Sequence, residues 1–333
     1  MSDQTLLEVR DMSIILGRGD EAVTPVSGVS LQVQRGEALG IVGESGCGKS
    51  LTLRAIAGLL PRDARANGAL RFAVDGEHLV PYEPARVRAR GIAMIFQEPM
   101  TALNPTMRVG DLIAEPMRVR GLKRSGARER AIDLMSRVGI PESARRARSW
   151  PHELSGGLRQ RVMIAAALAT DPQLILCDEP TTALDVCIQD QVLALLAQQR
   201  RERNLSIIFV THDLAVVAQL CQRLAVMYAG KIVETGATAD VLRSPAHPYT
   251  EALLESAPSV DERRNRLSGI PGQPPDPRRF PAGCRFADRC RYAQPDCRAV
   301  EPALDELSGA ADRQTACIHP ELLGVRKKVA AGG

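Results

Sequence analysis

The sequence predicts an α/β fold that carries a small C-terminal extension. Three observations support this prediction. A short apolar stretch at 38–42 is followed by a glycine-rich loop and by a helix-compatible segment at 51–60. A second apolar stretch, at 174–177, ends in two adjacent acids. Half of the eight cysteines lie at or after position 284, in a Pro- and Arg-rich tail that differs from the rest of the chain.

Composition limits the class of protein. The 333 residues, 44% of them apolar, suffice for one large domain with an appendage or for two domains. A net charge of +4 and only 3% aromatic residues argue against a nucleic-acid partner. The N-terminus lacks the basic and apolar pattern of a signal peptide, and the longest apolar run, VMIAAALA, is far shorter than the ~20 residues of a membrane span. We therefore expect a cytoplasmic chain whose thiols stay reduced.

The strongest local pattern is GESGCGKS at 43–50, which matches G-x-x-x-x-G-K-[ST]. A glycine-rich turn that binds nothing is the weaker interpretation, because the strand before the loop and the helix after it are both present. Glycines let successive N–H groups point at phosphate oxygens, and the helix start adds its positive dipole end. Lys49 is placed to reach the β and γ phosphates, and the Ser50 hydroxyl to ligate Mg²⁺. The predicted phosphate-binding residues are Gly43, Ser45, Gly46, Gly48, Lys49, Ser50 and Leu51.

The apolar stretch 174–177 is predicted to be a buried strand that ends in Asp178 and Glu179. Two carboxylates at such a position are costly unless a cation or a reaction uses them. In a chain with a phosphate loop, Asp178 is the expected magnesium ligand and Glu179 the expected general base for the attacking water. Two solvated acids at an ordinary strand end are the alternative.

Residues 152–185, HELSGGLRQRVMIAAALATDPQLILCDEPTTALD, resemble the signature and the following motifs of ATP-binding cassette (ABC) ATPases. The resemblance implies an ABC-type P-loop ATPase, with a RecA-like core and antiparallel β and helical subdomains. The ATPase domain would span 1–245, with its helical subdomain at about 98–160. The signature residues Ser155, Gly156 and Gly157 would contact the ATP of a partner subunit, so a dimer is implied. Leu158 stands where most members have Gln.

Three further positions follow from the same resemblance. Gln97 would contact Mg²⁺ and the catalytic water, Asp185 would belong to the D-loop, and His212 would be the switch histidine of the catalytic set. The sequence departs from the family at Leu16, where many members place an aromatic residue that stacks on adenine. We expect this departure to affect the affinity for adenine rather than the hydrolysis reaction.

Two segments resemble one branch of the family, the ATP-binding subunits of dipeptide/oligopeptide (and nickel) importers. These are QEPMTALNPTMRVGDLIAEPM at 97–117 and HPYTEALLESAP at 247–258. Within that branch the chain looks more like the dipeptide D-type subunit. The resemblance implies peptide uptake, two membrane permease subunits, a sister ATPase in a heterodimer, an extracytoplasmic substrate-binding protein and a location at the cytoplasmic face of the membrane. Nickel or another small solute as cargo, and a soluble non-transport ABC ATPase, are the alternatives.

The tail at 246–333 contains Cys284, Cys290, Cys297 and Cys317, with C-x5-C-x6-C-x19-C spacing. Its apolar content is too low for unaided folding, and four thiolates on one metal centre would supply the missing cross-links. Zinc prefers closer pairs, whereas this looser spacing suits an iron–sulfur cluster. Similar importer subunits carry a [4Fe–4S] cluster on such a tail, which the resemblance extends to this chain. Zinc and unligated thiols stay as alternatives.

The other four cysteines lie among apolar or motif residues. We expect each to be buried as a small apolar side chain. These cysteines are Cys47, Cys177, Cys187 and Cys221.

Overall fold

A computed structural model describes residues 4–73, 78–81, 91–98, 102–182, 185–256, 269–308 and 312–327. Parts of the motifs above, at 99–101, 183–184 and 257–258, lie outside the described residues. The chain divides into two compact units. The first comprises Met1–Leu7, Val33–Ala38 and Arg71–Val210, and the second comprises Glu8–Gln32, Leu39–Leu70 and Thr211–Gly333.

The regular elements of the described residues are numbered in chain order. The strands are β1 (Thr5–Leu16), β2 (Val23–Gln34), β3 (Ala38–Val42), β4 (Ala64–Phe72), β5 (Val80–Pro81), β6 (Ile92–Ile95), β7 (Leu174–Asp178), β8 (Ser206–Thr211), β9 (Arg223–Tyr228), β10 (Lys231–Ala237), β11 (Asp305–Glu306) and β12 (Gln314–Thr315). The α-helices are α1 (Lys49–Ala57), α2 (Val109–Val119), α3 (Arg124–Arg137), α4 (Ser143–Arg146), α5 (Gly156–Leu168), α6 (Val186–Arg203), α7 (Leu214–Leu220), α8 (Thr238–Arg243), α9 (Pro248–Ser256) and α10 (Pro295–Ala299). Short 3₁₀ turns lie at Gly19–Glu21, Pro151–Glu153, Ala287–Arg289 and Pro320–Leu323.

An antiparallel sheet has the strand order β2-β1-β4-β5. In β2, buried Val29 and Leu31 alternate with exposed Ser30 and Gln32. Such alternation marks a strand with one packed face and one solvated face. This sheet corresponds to the antiparallel β subdomain that the family resemblance implies.

The first unit contains the parallel strands β6, β7 and β8 in that order. Every residue of β7 is buried, which explains its continuous apolar sequence. Helices α2, α3 and α5 pack on one another through buried apolar side chains, among them Ile113, Leu134 and Val162. These helices confirm a helical part between β6 and β7.

In the second unit, β3 pairs in parallel with β9, and β9 pairs antiparallel with β10. The tail adds to this sheet, since Glu234 and Thr235 of β10 pair with Thr315 and Gln314 of β12. Across the described ranges, no helix has the length and apolar character needed to cross a bilayer.

Candidate functional site

The motif segment 43–50, called loop 43–50 below, consists of the turn between β3 and α1 and the first two residues of α1. The predicted order of strand, loop and helix is confirmed. Two glycines of loop 43–50 are required by geometry. A Cβ on Gly43 would lie 2.1 Å from the carbonyl oxygen of Met227, and Gly48, which precedes α1, has φ +107°. A larger residue at either position would displace backbone or adopt a disfavoured conformation. Ser45 and Gly46 are exposed at the tip of the loop, and Leu51 lies in the first turn of α1.

Lys49 is almost completely buried, with 4% of its surface exposed. Its Nζ donates hydrogen bonds to the carbonyl oxygens of Gly43 (2.7 Å) and Glu44 (3.0 Å). Ser50 follows it in the first turn of α1 and is half-buried. The Lys49 Nζ also lies 3.9 Å from Sγ of Cys47. A buried ammonium at a helix start with neutral partners such as these is suited to bind an anion such as phosphate.

At the end of β7, Asp178 is buried with 2% exposure, and Glu179 follows with φ +45°. Such a backbone conformation is unfavourable for a residue other than glycine, and it turns Glu179 out of the strand direction. The Glu179 carboxylate accepts hydrogen bonds from the hydroxyl of Thr182 (3.0 Å) and from Nε2 of Gln97 (3.4 Å). Two of the predicted catalytic residues are therefore side by side. Thr182 was missed, because a Thr three residues after an acid is too common a pattern to single out.

The signature residues lie at the start of α5, where Ser155 and Gly156 are exposed. Gly157 is packed so closely that a Cβ there would lie 2.7 Å from Cγ2 of Ile188. The Asp185 carboxylate caps α6 by accepting the N–H of Ile188 at 2.9 Å. The signature and the D-loop residue thus both contact Ile188. The exposed helix start presents N–H groups and a hydroxyl, which is the chemistry that binds a phosphate.

His212 lies between β8 and α7 and is exposed. The next residue, Asp213, caps α7 by accepting the N–H of Ala215 at 2.8 Å. This cap marks the start of α7, and His212 immediately before it is an exposed residue of the second unit. Leu16, the final residue of β1, is half-buried.

The four tail cysteines line one small cavity. The backbone N–H of Cys284 donates to the carbonyl of Cys297 at 2.7 Å. The pKa of the Cys317 thiol is raised to about 12, mainly by burial and to a smaller extent by the nearby thiols of the other three cysteines. The pKa values of Cys284 and Cys290 are raised for the same reasons. The four side chains are therefore neighbours, despite their separation along the sequence.

The remaining cysteines differ from the prediction at one position. Cys47, Cys177 and Cys221 are buried, as expected, but Cys187 is exposed. The expectation for Cys187 was wrong because this residue lies in the first turn of α6, on the solvent side, where neighbouring Val186 is 74% exposed.

Comparison with known proteins places these features in a family context. A family model described as "ABC transporter" matches residues 26–182, and one described as "Oligopeptide/dipeptide transporter, C-terminal region" matches residues 233–297. The chain is 43% identical to the oligopeptide transport ATP-binding protein OppD of Escherichia coli over 319 residues, which cover 95% of this chain and 93% of the relative. It is 44% identical to a protein of Brucella melitensis named for peptide import ATP binding, with 92% and 96% covered.

Solved structures agree with this likeness. The dimeric structure of a bacterial ABC transporter cassette is 27% identical to this chain, with a TM-score of 0.61, and the match covers 70% of this chain and 99% of the cassette. A post-hydrolysis dimer bound to ADP and phosphate matches with the same TM-score of 0.61.

Proposed function

Because this chain belongs to the family of ATP-binding subunits of oligopeptide ABC importers, we propose that it powers uptake of dipeptides or oligopeptides through a pair of membrane permeases. Its activity is ATP hydrolysis coupled to peptide transport, with Mg²⁺ as the metal ion. The names of the relatives favour peptide cargo over nickel or another small solute.

In the second unit, the loop 43–50 is proposed to hold the triphosphate. Its backbone N–H groups and the buried Lys49 ammonium provide positive charge for the β and γ phosphates. The Ser50 hydroxyl is proposed as a magnesium ligand. His212, exposed after β8, is proposed to orient the attacking water.

In the first unit, Glu179 is the proposed general base. Its carboxylate is fixed by Thr182 and Gln97 and is turned away from the strand by its own backbone conformation. Asp178 and Gln97 are the proposed magnesium ligands. The contact between Gln97 and Glu179 is the observation that carries this assignment, since it joins two residues 82 positions apart that the motif order alone had assigned to catalysis.

ABC cassettes act as dimers with membrane permeases, and the exposed start of α5 supports such an arrangement. We propose that Ser155, Gly156 and Gly157 bind the ATP of a sister ATPase, and that the D-loop Asp185 contributes at the same junction. The proposed location is the cytoplasmic face of the membrane, and a substrate-binding protein outside the cell delivers the cargo.

The direct test is the Glu179→Gln variant in the assembled transporter. Binding of an ATP analogue is expected to persist, while phosphate release falls by at least ~10²-fold, because a general base typically contributes that much. The Lys49→Ala variant is expected to lose nucleotide binding itself. Glu202→Gln is the matched control, because Glu202 is exposed on α6, where its carboxylate accepts a hydrogen bond from Nε2 of Gln198 at 2.7 Å. Turnover of Glu179→Gln near the wild-type rate would remove Glu179 from this role.

The four tail cysteines are proposed to hold a [4Fe–4S] cluster. Among the described residues, the one group of three or more potential ligands with all ligand atoms within 4.8 Å of one another is Asp296, Cys297 and His319. The four cysteines line one cavity, but no three of their Sγ atoms all lie within 4.8 Å of one another. A single zinc ion would need the Sγ atoms to lie closer together, because each Zn–S bond is only ~2.3 Å long. This wider spacing supports the larger cluster, which would cross-link the tail.

Iron and acid-labile sulfide analysis of anaerobically purified protein tests the cluster, together with absorbance near 400 nm. About four iron atoms per chain are expected, with loss in Cys297→Ser and retention in the exposed-thiol control Cys187→Ser. Stoichiometric zinc without iron, or the absence of both metals, would exclude the cluster.

A further inference from the structure

Glu44 is the second residue of the phosphate loop, at a position that the G-x-x-x-x-G-K-[ST] motif leaves unspecified. Three parts of this residue are held. Its carbonyl oxygen accepts from Lys49 Nζ at 3.0 Å, and its backbone N–H donates to the hydroxyl of Tyr249 at 2.8 Å. Its carboxylate forms a two-pronged ion pair with Arg289, whose Nη1 and Nη2 lie 2.6 and 2.9 Å from the two carboxylate oxygens.

Arg289 is well suited to this task because its side chain is only 5% exposed. Its remaining N–H groups donate to the carbonyl oxygens of Ile270 (3.2 Å) and Pro271 (2.9 Å) and to the hydroxyl of Tyr228 (3.3 Å). The five N–H donors of a guanidinium are thereby engaged. A side chain held at so many points has little freedom to leave Glu44.

Tyr249 is completely buried. Its ring centroid lies 4.5 Å from that of Tyr228 and 5.4 Å from that of Phe286, and its backbone N–H donates to Nδ1 of His247 at 3.0 Å. Tilted and edge-on aromatic contacts of this kind fix ring positions. The hydroxyl that meets the Glu44 N–H is therefore rigidly placed.

An acid in a loop that binds phosphates presents an electrostatic problem. An unpaired carboxylate at Glu44 would repel the negative charge of ATP, and the low dielectric of a partly buried site would strengthen that repulsion. A guanidinium that forms a two-pronged pair both cancels the charge and fixes the side chain. Because Lys49 bonds to the carbonyl of the same residue, displacement of Glu44 also displaces a partner of the Lys49 ammonium.

We propose that Arg289 and Tyr249 are positioning residues for ATP binding: they neutralise Glu44 and hold the phosphate loop in its binding shape. Arg289 directly precedes Cys290. Its ion pair with Glu44 therefore connects the cysteine-containing tail to the phosphate loop. The proposal rests on the proposed role of loop 43–50 as the phosphate site.

Equilibrium binding of a non-hydrolysable ATP analogue to the full-length chain tests the proposal. We expect Arg289→Gln to weaken binding about tenfold, equivalent to ~1.4 kcal/mol, and to raise KM for ATP in the assembled transporter with little change in kcat. Arg289→Lys is expected to recover part of the loss. Arg291→Gln is the matched control, because Arg291 flanks Cys290 on the other side and pairs with Glu255 instead of the loop.

The double variant Glu44→Gln/Arg289→Gln separates charge neutralisation from general damage. Removal of the acid is expected to restore affinity to within about threefold of wild type, since no unpaired charge is left. Tyr249→Phe removes only the hydroxyl and is expected to weaken binding a few-fold by the loss of one hydrogen bond. Tyr292→Phe is the matched control and is expected to leave binding unchanged, because the Tyr292 hydroxyl donates to Glu251 instead of contacting the loop.

Wild-type affinity in Arg289→Gln, or equal weakening in the single and double variants, would overturn the proposal. The Lys49→Ala variant tests the proposed phosphate site separately from the positioning role of Arg289 and Tyr249. If Lys49→Ala binds the analogue normally, the proposed phosphate site itself is wrong; if it loses binding while Arg289→Gln keeps it, only the positioning role is wrong.

Discussion

Glu234 of β10 and Arg313, which lies one residue before β12, form an ion pair with 3.0 Å between Nη2 and Oε1, and both side chains are buried. The same carboxylate accepts the backbone N–H groups of Ala246 (2.8 Å) and His247 (3.0 Å). The buried Glu234 carboxylate therefore joins the start of the tail, directly before α9, to the strand pair β10–β12. Ala246, His247 and Arg313 lie 12, 13 and 79 positions away from Glu234 in sequence.

We predict that Arg313→Gln strongly destabilises the protein. Removal of one partner of a buried pair leaves an uncompensated charge, which costs roughly 3–5 kcal/mol. Urea unfolding measures the loss. Lys327→Gln is the control, because it breaks the exposed Lys327–Asp305 pair, for which we expect a change of at most ~1 kcal/mol. Equal stability of the two variants would contradict the structural role of Glu234.

His247 predicts a dependence of stability on pH. Burial lowers its pKa from the ordinary value of 6.5 to about 3, so between these values the unfolded chain binds a proton that the folded chain does not. Its stabilising contribution is complete above about pH 6.5 and is lost as the pH falls toward 3. Between pH 7 and 5.5 wild type should lose about 1 kcal/mol more than His247→Asn. Urea unfolding of both proteins at pH 7 and at pH 5.5 measures this difference. An equal loss of unfolding free energy in the two proteins would contradict the prediction.

Gly157 predicts a steric effect at the signature. In Gly157→Ala the new methyl would meet Cγ2 of Ile188 at 2.7 Å, and overpacking of this kind costs typically 1–3 kcal/mol. Thermal unfolding should therefore shift to lower temperature. Ile188→Ala in the same chain removes the clashing methyl and should recover part of the loss. Gly156→Ala, which has open space around its Cβ, should keep wild-type stability.

Cys187 predicts selective thiol reactivity. It is exposed, whereas Cys47, Cys177 and Cys221 are buried, and burial also raises the pKa of Cys47. Thiolates rather than thiols react, so a maleimide reagent should label Cys187 rapidly and the three buried cysteines slowly. Mass spectrometry of peptides after brief labelling measures the order. An unchanged fast phase in Cys187→Ser would show that another thiol is responsible.

The parts of the fold that the sequence predicted are those specified by local pattern. The strand–loop–helix around Lys49 and the buried strand that ends at Asp178 depend on neighbours within a few residues, and both were located correctly. Exposure of Cys187 was missed because it depends on which side of α6 faces solvent. The pair between Arg289 and Glu44 was also missed, since it joins residues 245 positions apart and neither is unusual in its own segment.

The three-point hold on Glu44 has a thermodynamic consequence. A coupling free energy between two binding events is reciprocal, so any change that metal loading of the tail makes to ATP affinity must be matched by an equal change that ATP makes to metal affinity. Glu44 of the phosphate loop contacts Tyr249 of α9 and Arg289, the residue directly before Cys290. ATP and the metal proposed for the tail cysteines would then be thermodynamically linked ligands of one protein. The occupancy of the ATP site would change with the occupancy of the metal site, and the reverse would also hold.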